Sequence, residues 1–215
     1  MKKSKLYLRQ LEVGPMQNFI YLLGDAEKKE CLMVDPAWDV PAVVRAAEAD
    51  GMKITGALLT HGHGDHCNGV PDFAAITGRP VYVNKNEAPF LKPWKKELVL
   101  VDAGDAVKAG DLTVTFLHTP GHTPGSQCFM AENHLVSGDT LFINACGRCD
   151  LPGGSAEQMY HSLQSLAKLD DSVILLPGHN YSDDGSTAST IGKEKRQNPY
   201  YQAATLQDFL HDRMG

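Results

Sequence analysis

The sequence predicts an α/β protein, a four-layer αββα sandwich of two mixed β-sheets with helices outside. Three observations predict it. Short apolar runs of strand type alternate with segments of helical spacing in both halves of the chain. Side chains of metal-ligand type stand at the C-terminal ends of strands in each half, so the two halves must meet at one site. No Ser/Gly-rich linker divides the chain, and residues 1–215 are therefore expected to form a single domain. Periodicity by itself is also compatible with a doubly wound sheet.

Two β-type runs open the chain, Leu6 to Val13 and Asn18 to Leu23, and a short apolar strand follows at Cys31 to Val34, ending on Asp35-Pro36. An antiparallel start is expected, with Met1 to Lys5 as an exposed lead into the first strand. From Asp39 the spacing of Val40, Val43, Val44 and Ala47 is helical, with Asp39 as the cap and Gly51 as the stop. Ile54 to Leu59 reads as a buried strand that empties into Thr60-His61-Gly62-His63-Gly64-Asp65-His66. A second helix is expected around Val70 to Ile76 and a strand at Val81 to Asn84. The stretch from Glu87 to Trp94 holds Pro89 and Pro93 and is expected as loop with helical turns.

The second half repeats this logic. Leu112 to His118, Ser126 to Met130, His134 to Ser137 and Val173 to Leu176 are short apolar strands. Ser155-Ala156-Glu157-Gln158 has the form of a capping box, and Met159, Leu163 and Leu166 give the helix behind it one apolar stripe for the sheet.

Hydrophobic residues at 42% and charged residues at 21% are ordinary globular usage, which excludes a disordered or fibrous chain. A formal charge of −6 argues against a nucleic-acid grip. No apolar stretch approaches the length that crosses a bilayer, and Tyr7, Arg9, Gln10 and Glu12 interrupt any signal-peptide core, so a cytoplasmic protein is expected. Cys31, Cys67, Cys128, Cys146 and Cys149 are odd in number and scattered, and reduced thiols are expected.

His61, His63, Asp65 and His66 place four ligand-type side chains within six residues. Residues two apart project to the same side of an extended or tightly turned segment, so His61 and His63 can serve one ion while Asp65 and His66 face a second. Single candidates follow in Gly121-His122, Gly138-Asp139 and Gly178-His179, each preceded by a glycine that lets the backbone approach closely. The two oxygens of Asp139 suit a bridge between paired ions.

This set resembles the metallo-β-lactamase superfamily, whose motif is a His-x-His-x-Asp-His loop with a distant His, Asp and His. The resemblance implies the αββα sandwich and a ligand division: His61, His63 and His122 for one metal, Asp65, His66 and His179 for the other, Asp139 shared. Two Zn²⁺ are the leading expectation, with Fe²⁺ the alternative because imidazole and carboxylate suit both. Such an ion lowers the pKa of a bound water to about 7, which makes hydroxide the nucleophile, with Asp65 as the group that orients it or takes its proton.

Gly138-Asp139-Thr140-Leu141-Phe142 with Gly147-Arg148 resembles glyoxalase II, the hydroxyacylglutathione hydrolases. That likeness implies thioester hydrolysis, with Arg148 and Tyr181 contacting a glutathione-like substrate. Asp150 departs from the pattern, since an anion there opposes a carboxylate, and the stretch after His179 is too short for the helical domain that completes that family's pocket. Cys146-Gly147-Arg148-Cys149-Asp150, with Ser189-Thr190 and Asn198-Pro199, is also similar to the persulfide dioxygenases, which use one iron. The expected partner is thus a small-molecule thioester or thiol-derived substrate, with a homodimer compatible. Lactone and β-lactam hydrolysis and a catalytically inactive scaffold rank below these readings.

His118, His134, His161 and His211 lack the glycine-flanked context and read as background, although His118 at a strand end is a candidate to orient His122. Cys146 and Cys149 form a Cys-x-x-Cys that reads as two packed thiols rather than a redox pair. Cys67 is expected to pack rather than to touch a metal.

Overall fold

In the computed structural model, residues 6–214 are described, so the expected lead at Met1 to Lys5 lies outside the described residues. The first half runs β1 (Leu6–Val13), β2 (Asn18–Asp25), β3 (Glu30–Val34), α1 (Val40–Ala49), β4 (Lys53–Leu58), α2 (Gly64–Cys67), α3 (Val70–Thr77), β5 (Val81–Asn84) and β6 (Leu98–Val101). These strands form one sheet in sequence order, antiparallel through β3 and parallel from β3 to β6. The second half runs β7 (Ala106–Ala109), β8 (Leu112–His118), β9 (Gln127–Ala131), β10 (His134–Gly138), the hairpin β11 (Leu141–Phe142) and β12 (Ala145–Cys146), α4 (Ala156–Leu166), β13 (Ile174–Pro177), β14 (Ser189–Thr190), α5 (Ile191–Gln197), α6 (Pro199–Gln202) and α7 (Leu206–Met214). Its sheet is ordered β14-β13-β10-β9-β8-β7, with β10 and β13 parallel and the other pairs antiparallel.

Strand β2 explains the layering. All eight of its residues are buried, yet its side chains alternate in direction. Phe19, Tyr21 and Leu23 join Phe116, Phe129 and Val136 in the core between the sheets. Ile20 and Leu22 join Val40 and Val43 of α1 and Phe73 of α3 on the other face. On the outer face of the second sheet, Cys128, Leu135 and Leu175 pack with Met159, Leu163 and Leu166 of α4, Ile191 of α5 and Phe209 of α7. Helix, sheet, sheet and helix are the four expected layers, and the doubly wound alternative is excluded.

Local signals also act as expected. Asp39 caps α1 by accepting from Ala42 N at 3.0 Å, and Ser155 caps α4 by accepting from Gln158 N at 3.2 Å. Residues 88–90 and 92–94 are single 3₁₀ turns, as the two prolines there suggest. Strands β6 and β7 and helices α5 to α7 have no counterpart in the sequence reading. Among the described residues, no helix is long and apolar enough to cross a membrane.

Candidate metal centre

All of the ligand-bearing loops leave strands at one end of the sandwich. Leu59 to His61 follows β4, His122 follows β8, Asp139 follows β10 and His179 follows β13. The loops pack so tightly that a Cβ on Gly178 would lie 2.4 Å from Asp139 Oδ1, and one on Gly138 would lie 2.5 Å from Thr60 Cβ. Gly138 also holds φ +50°, so glycine is required there twice over.

The structure brings all seven sequence-predicted ligand candidates into one cup. His61, His63 and His122 offer nitrogens within 4.8 Å of one another, as do Asp65, His66 and His179 with their own ligand atoms, while Asp139 groups with His61 and His66. Asp139 faces both sides: Oδ1 is 3.3 Å from His66 Nε2, and Oδ2 is 3.4 Å from His179 Nε2 and 3.5 Å from His122 Nε2.

The hydrogen-bond network assigns the imidazole tautomers, and this assignment tests whether a cation fits. His122 Nδ1 donates to the Arg148 carbonyl at 2.7 Å, and His179 Nδ1 donates to the Met16 carbonyl at 2.9 Å. His66 Nδ1 donates to Asp35 Oδ2 at 2.9 Å. Thr60 Oγ1 spends its proton on Asp35 Oδ2 at 2.6 Å and therefore accepts from His61 Nδ1 at 3.0 Å. Four rings are thereby turned so that Nε2 faces the cup. The Nε2 atoms of His61 and His122 are buried and make no hydrogen bond among the described residues, and His66 Nε2 stands 3.1 Å from His179 Nε2. Converging lone pairs of this kind, with two carboxylates among them, fit divalent cations of imidazole preference.

Electrostatics agree. Burial, followed by the His66 neighbour, drives His61 well below the ordinary imidazole range. His63 falls to about 4 through burial and the nearby His122. Burial acting alone would raise the Asp65 and Asp139 carboxyls, but the neighbouring His66 outweighs it and both are held low. His66 moves the other way, since Asp139, Asp35 and Asp65 override the effect of its burial and favour positive charge there. Neutral imidazoles at His61 and His63 beside ionised Asp65 and Asp139 are the protonation states in which these side chains bind a cation.

Around the cup lies a cavity of about 650 Å³, walled in part by Met16, Phe142, Arg148, Tyr181 and Arg213. Tyr181 stacks on His179 with ring centroids 4.4 Å apart and planes 9° off parallel. Arg148 reaches this wall, but its fork is taken by Asp150, with Nε to Oδ1 at 2.8 Å and Nη2 to Oδ2 at 2.6 Å. Asp150 therefore neutralises Arg148 rather than standing apart as a repelling anion. Both partners are exposed, so Arg148→Met is expected to leave the melting temperature unchanged in a thermal scan.

His118 does not orient His122. Its Nε2 donates to the Pro124 carbonyl at 2.9 Å, because the backbone of Arg148 already occupies the position beside His122 Nδ1. Cys67 Sγ points to the carbonyls of Gly62 and His63, away from the ligand cluster, and burial pushes its thiol up to about 12. Cys146 and Cys149 are free, buried and likewise raised by burial, as packed thiols are.

Four residues outside the sequence reading of the site shape it. Asp35 holds His66, Thr60 Oγ1 and Thr60 N, the last at 2.7 Å. Asn18 donates to Asp65 Oδ2 at 2.9 Å and is itself fixed by Trp38 Nε1. Glu87 ties the two ligand loops together by accepting from Gly62 N and Gly125 N, each at 2.8 Å. Arg213 on α7 donates from Nε to the Gly147 carbonyl at 3.1 Å. Only Asp35 left a trace, the polar residue ending an apolar strand; the others carry no local signal.

A two-sheet sandwich that gathers imidazoles and carboxylates at one end defines a metal-dependent enzyme. The pattern of the metallo-beta-lactamase superfamily matches residues 13–179, and the chain belongs to that superfamily. It is 31% identical over 198 residues to the probable polyketide biosynthesis zinc-dependent hydrolase BaeB of Bacillus velezensis, covering 91% of this chain and 87% of that protein. It is 35% identical over 196 residues to the hydroxyacylglutathione hydrolase of Enterobacter sp. (strain 638), covering 90% and 71%. It is 30% identical over 207 residues to the mitochondrial persulfide dioxygenase ETHE1 of Homo sapiens, covering 91% and 76%. The crystal structure of ETHE1 from Myxococcus xanthus superposes with a TM-score of 0.86 at 28% identity, covering 97% of this chain and 90% of that one.

Proposed function

We propose that this chain is a thioester hydrolase of the glyoxalase II-like group, using two zinc ions held by His61, His63 and His122 and by Asp65, His66 and His179, with Asp139 shared. The observation that carries this reading is the second ligand trio. Asp35, Asn18 and the Met16 carbonyl each hold one member of it, as partners that orient metal ligands do. The hydroxyacylglutathione hydrolase and zinc-dependent hydrolase relatives support the same reading. That all five cysteines are free supports a reducing compartment, and we place the protein in the cytoplasm.

When bound, such an ion pair supplies a Lewis acid and a water that ionises near pH 7. The chain's own groups do the rest. Asp65, ionised and held by Asn18, accepts a hydrogen bond from the attacking water and orients it. Phe142, Met16 and Tyr181 line the cup, and Arg213, beside the Arg148–Asp150 pair, draws an anionic thiol half toward it. The C–O bond forms as the C–S bond breaks, and the proton passes to the departing sulfur.

A dioxygenase reading follows from the ETHE1 relative and the Cys146 to Asp150 segment, and one variant separates the two. His66→Ala is expected to lower thioester hydrolysis at least about a hundredfold, more than loss of a mere orienting residue costs. A mono-iron dioxygenase would keep most of its oxygen uptake with glutathione persulfide in the same variant. Metal analysis accompanies both assays, and full hydrolysis without His66 would overturn the two-metal reading.

A further inference from the structure

A second cavity, of about 170 Å³, opens beside the first, and the imidazole of His63 lines both. The ring of Phe90, which is 53% exposed, forms one wall, and Pro124 and Pro152 form others. Its polar lining is already committed. Glu87 accepts from Gly62 N, Gly125 N and Thr123 Oγ1, and Thr123 N donates to Ser126 Oγ at 3.0 Å. The carbonyls follow suit: Gly62 O accepts from Cys67 Sγ, Thr123 O from Gly121 N, and Pro124 O from His118 Nε2. A chamber whose donors and acceptors are spent selects by shape and apolar contact.

The two chambers differ in chemistry. The larger one carries the guanidinium group of Arg213 beside the neutralised Arg148–Asp150 pair, whereas the smaller one offers a phenyl ring and two proline rings. A thioester whose carbonyl sits at the metal cup must send its halves to opposite sides of His63. Biological thiol carriers are polar and mostly anionic, so the polar chamber with Arg213 in its wall suits the thiol half. We propose that the chamber under Phe90 is the acyl subsite, and that the substrate is a thioester joining a short apolar acyl chain to an anionic thiol.

This inference rests on the hydrolase reading, and the experiment separates the two. The metal-loaded protein is assayed with acetyl, butanoyl, hexanoyl and octanoyl thioesters of 3-mercaptopropionic acid. The expected kcat/KM rises by up to about fourfold per buried methylene and then falls once the chamber is full. Phe90→Trp is expected to move the optimum to shorter acyl chains and Phe90→Ala to longer ones. Because Phe90 is exposed, both variants are expected to fold, and circular dichroism verifies this. Retained hydrolysis with an acyl optimum that neither variant moves overturns the subsite alone. If the wild-type protein hydrolyses none of the four thioesters, the hydrolase reading falls and the subsite falls with it.

Discussion

Asp139→Asn is expected to reduce the bound metal from two ions per chain to one and to cut thioester hydrolysis by more than about a hundredfold, beyond the cost of losing a residue that merely orients a ligand. The reason is geometric. Asp139 faces both ligand trios, within 3.5 Å of His66, His179 and His122 through its two oxygens. An amide keeps one acceptor oxygen, replaces the other with a donor and removes the negative charge. That donor would point at lone pairs, where a cation is needed. Metal analysis of the purified variant, with kcat/KM measured on a thioester, checks the result; two retained ions with full rate would contradict the shared role of Asp139.

Asp35→Ala is expected to damage stability and metal binding together. Asp35 is 3% exposed and accepts from Thr60 N, Thr60 Oγ1 and His66 Nδ1. Its removal strands three buried donors, at a cost of about 3–5 kcal/mol. In a chain of this size that lowers the melting temperature by roughly ten degrees or more. The tautomer of His66 also loses its determinant, so affinity at the second trio is expected to fall about 10–100-fold. Asp35→Asn separates the two effects. It restores volume and part of the hydrogen bonding, but an amide NH₂ facing His66 Nδ1 favours the opposite tautomer. The expected outcome is a melting temperature nearer the parent with metal affinity still low, measured by calorimetry and by competition with a chromogenic chelator.

The strand and helix units and the ligand candidates were legible in the sequence for one physical reason, their short-range patterns, whereas periodicity by itself did not separate the sandwich from a doubly wound sheet. The strand-helix alternation around Ile54 to Leu59 and Val70 to Ile76 is visible in a dozen residues, and His61 to His66 is denser still. What lay hidden depends on long-range contact. Glu87 sits in a proline-broken turn, and nothing nearby announces that its carboxylate caps Gly62 and Gly125 N–H groups. Asn18 looks like any polar residue opening a strand until Asp65, 47 positions away, is placed beside it. Strands β6 and β7 are four residues each and lie at the edges of their sheets. His118 misled because proximity in sequence to His122 suggested contact, whereas the turn sends its ring back to the Pro124 carbonyl.

The start of β2 and the residue before it clasp the last ligand loop: Phe19 N donates to Gly178 O at 2.8 Å, Asn180 N donates to Gln17 O at 2.9 Å, and Asn18 and His179 form an isolated bridge. The β1-β2 hairpin therefore waits for Gly178 to Asn180, far along the chain, before its half of the cup is whole. A chain truncated ahead of Gly178 lacks that clasp and His179, so it is expected to bind metal more weakly than the whole chain, which metal analysis of the truncated protein checks.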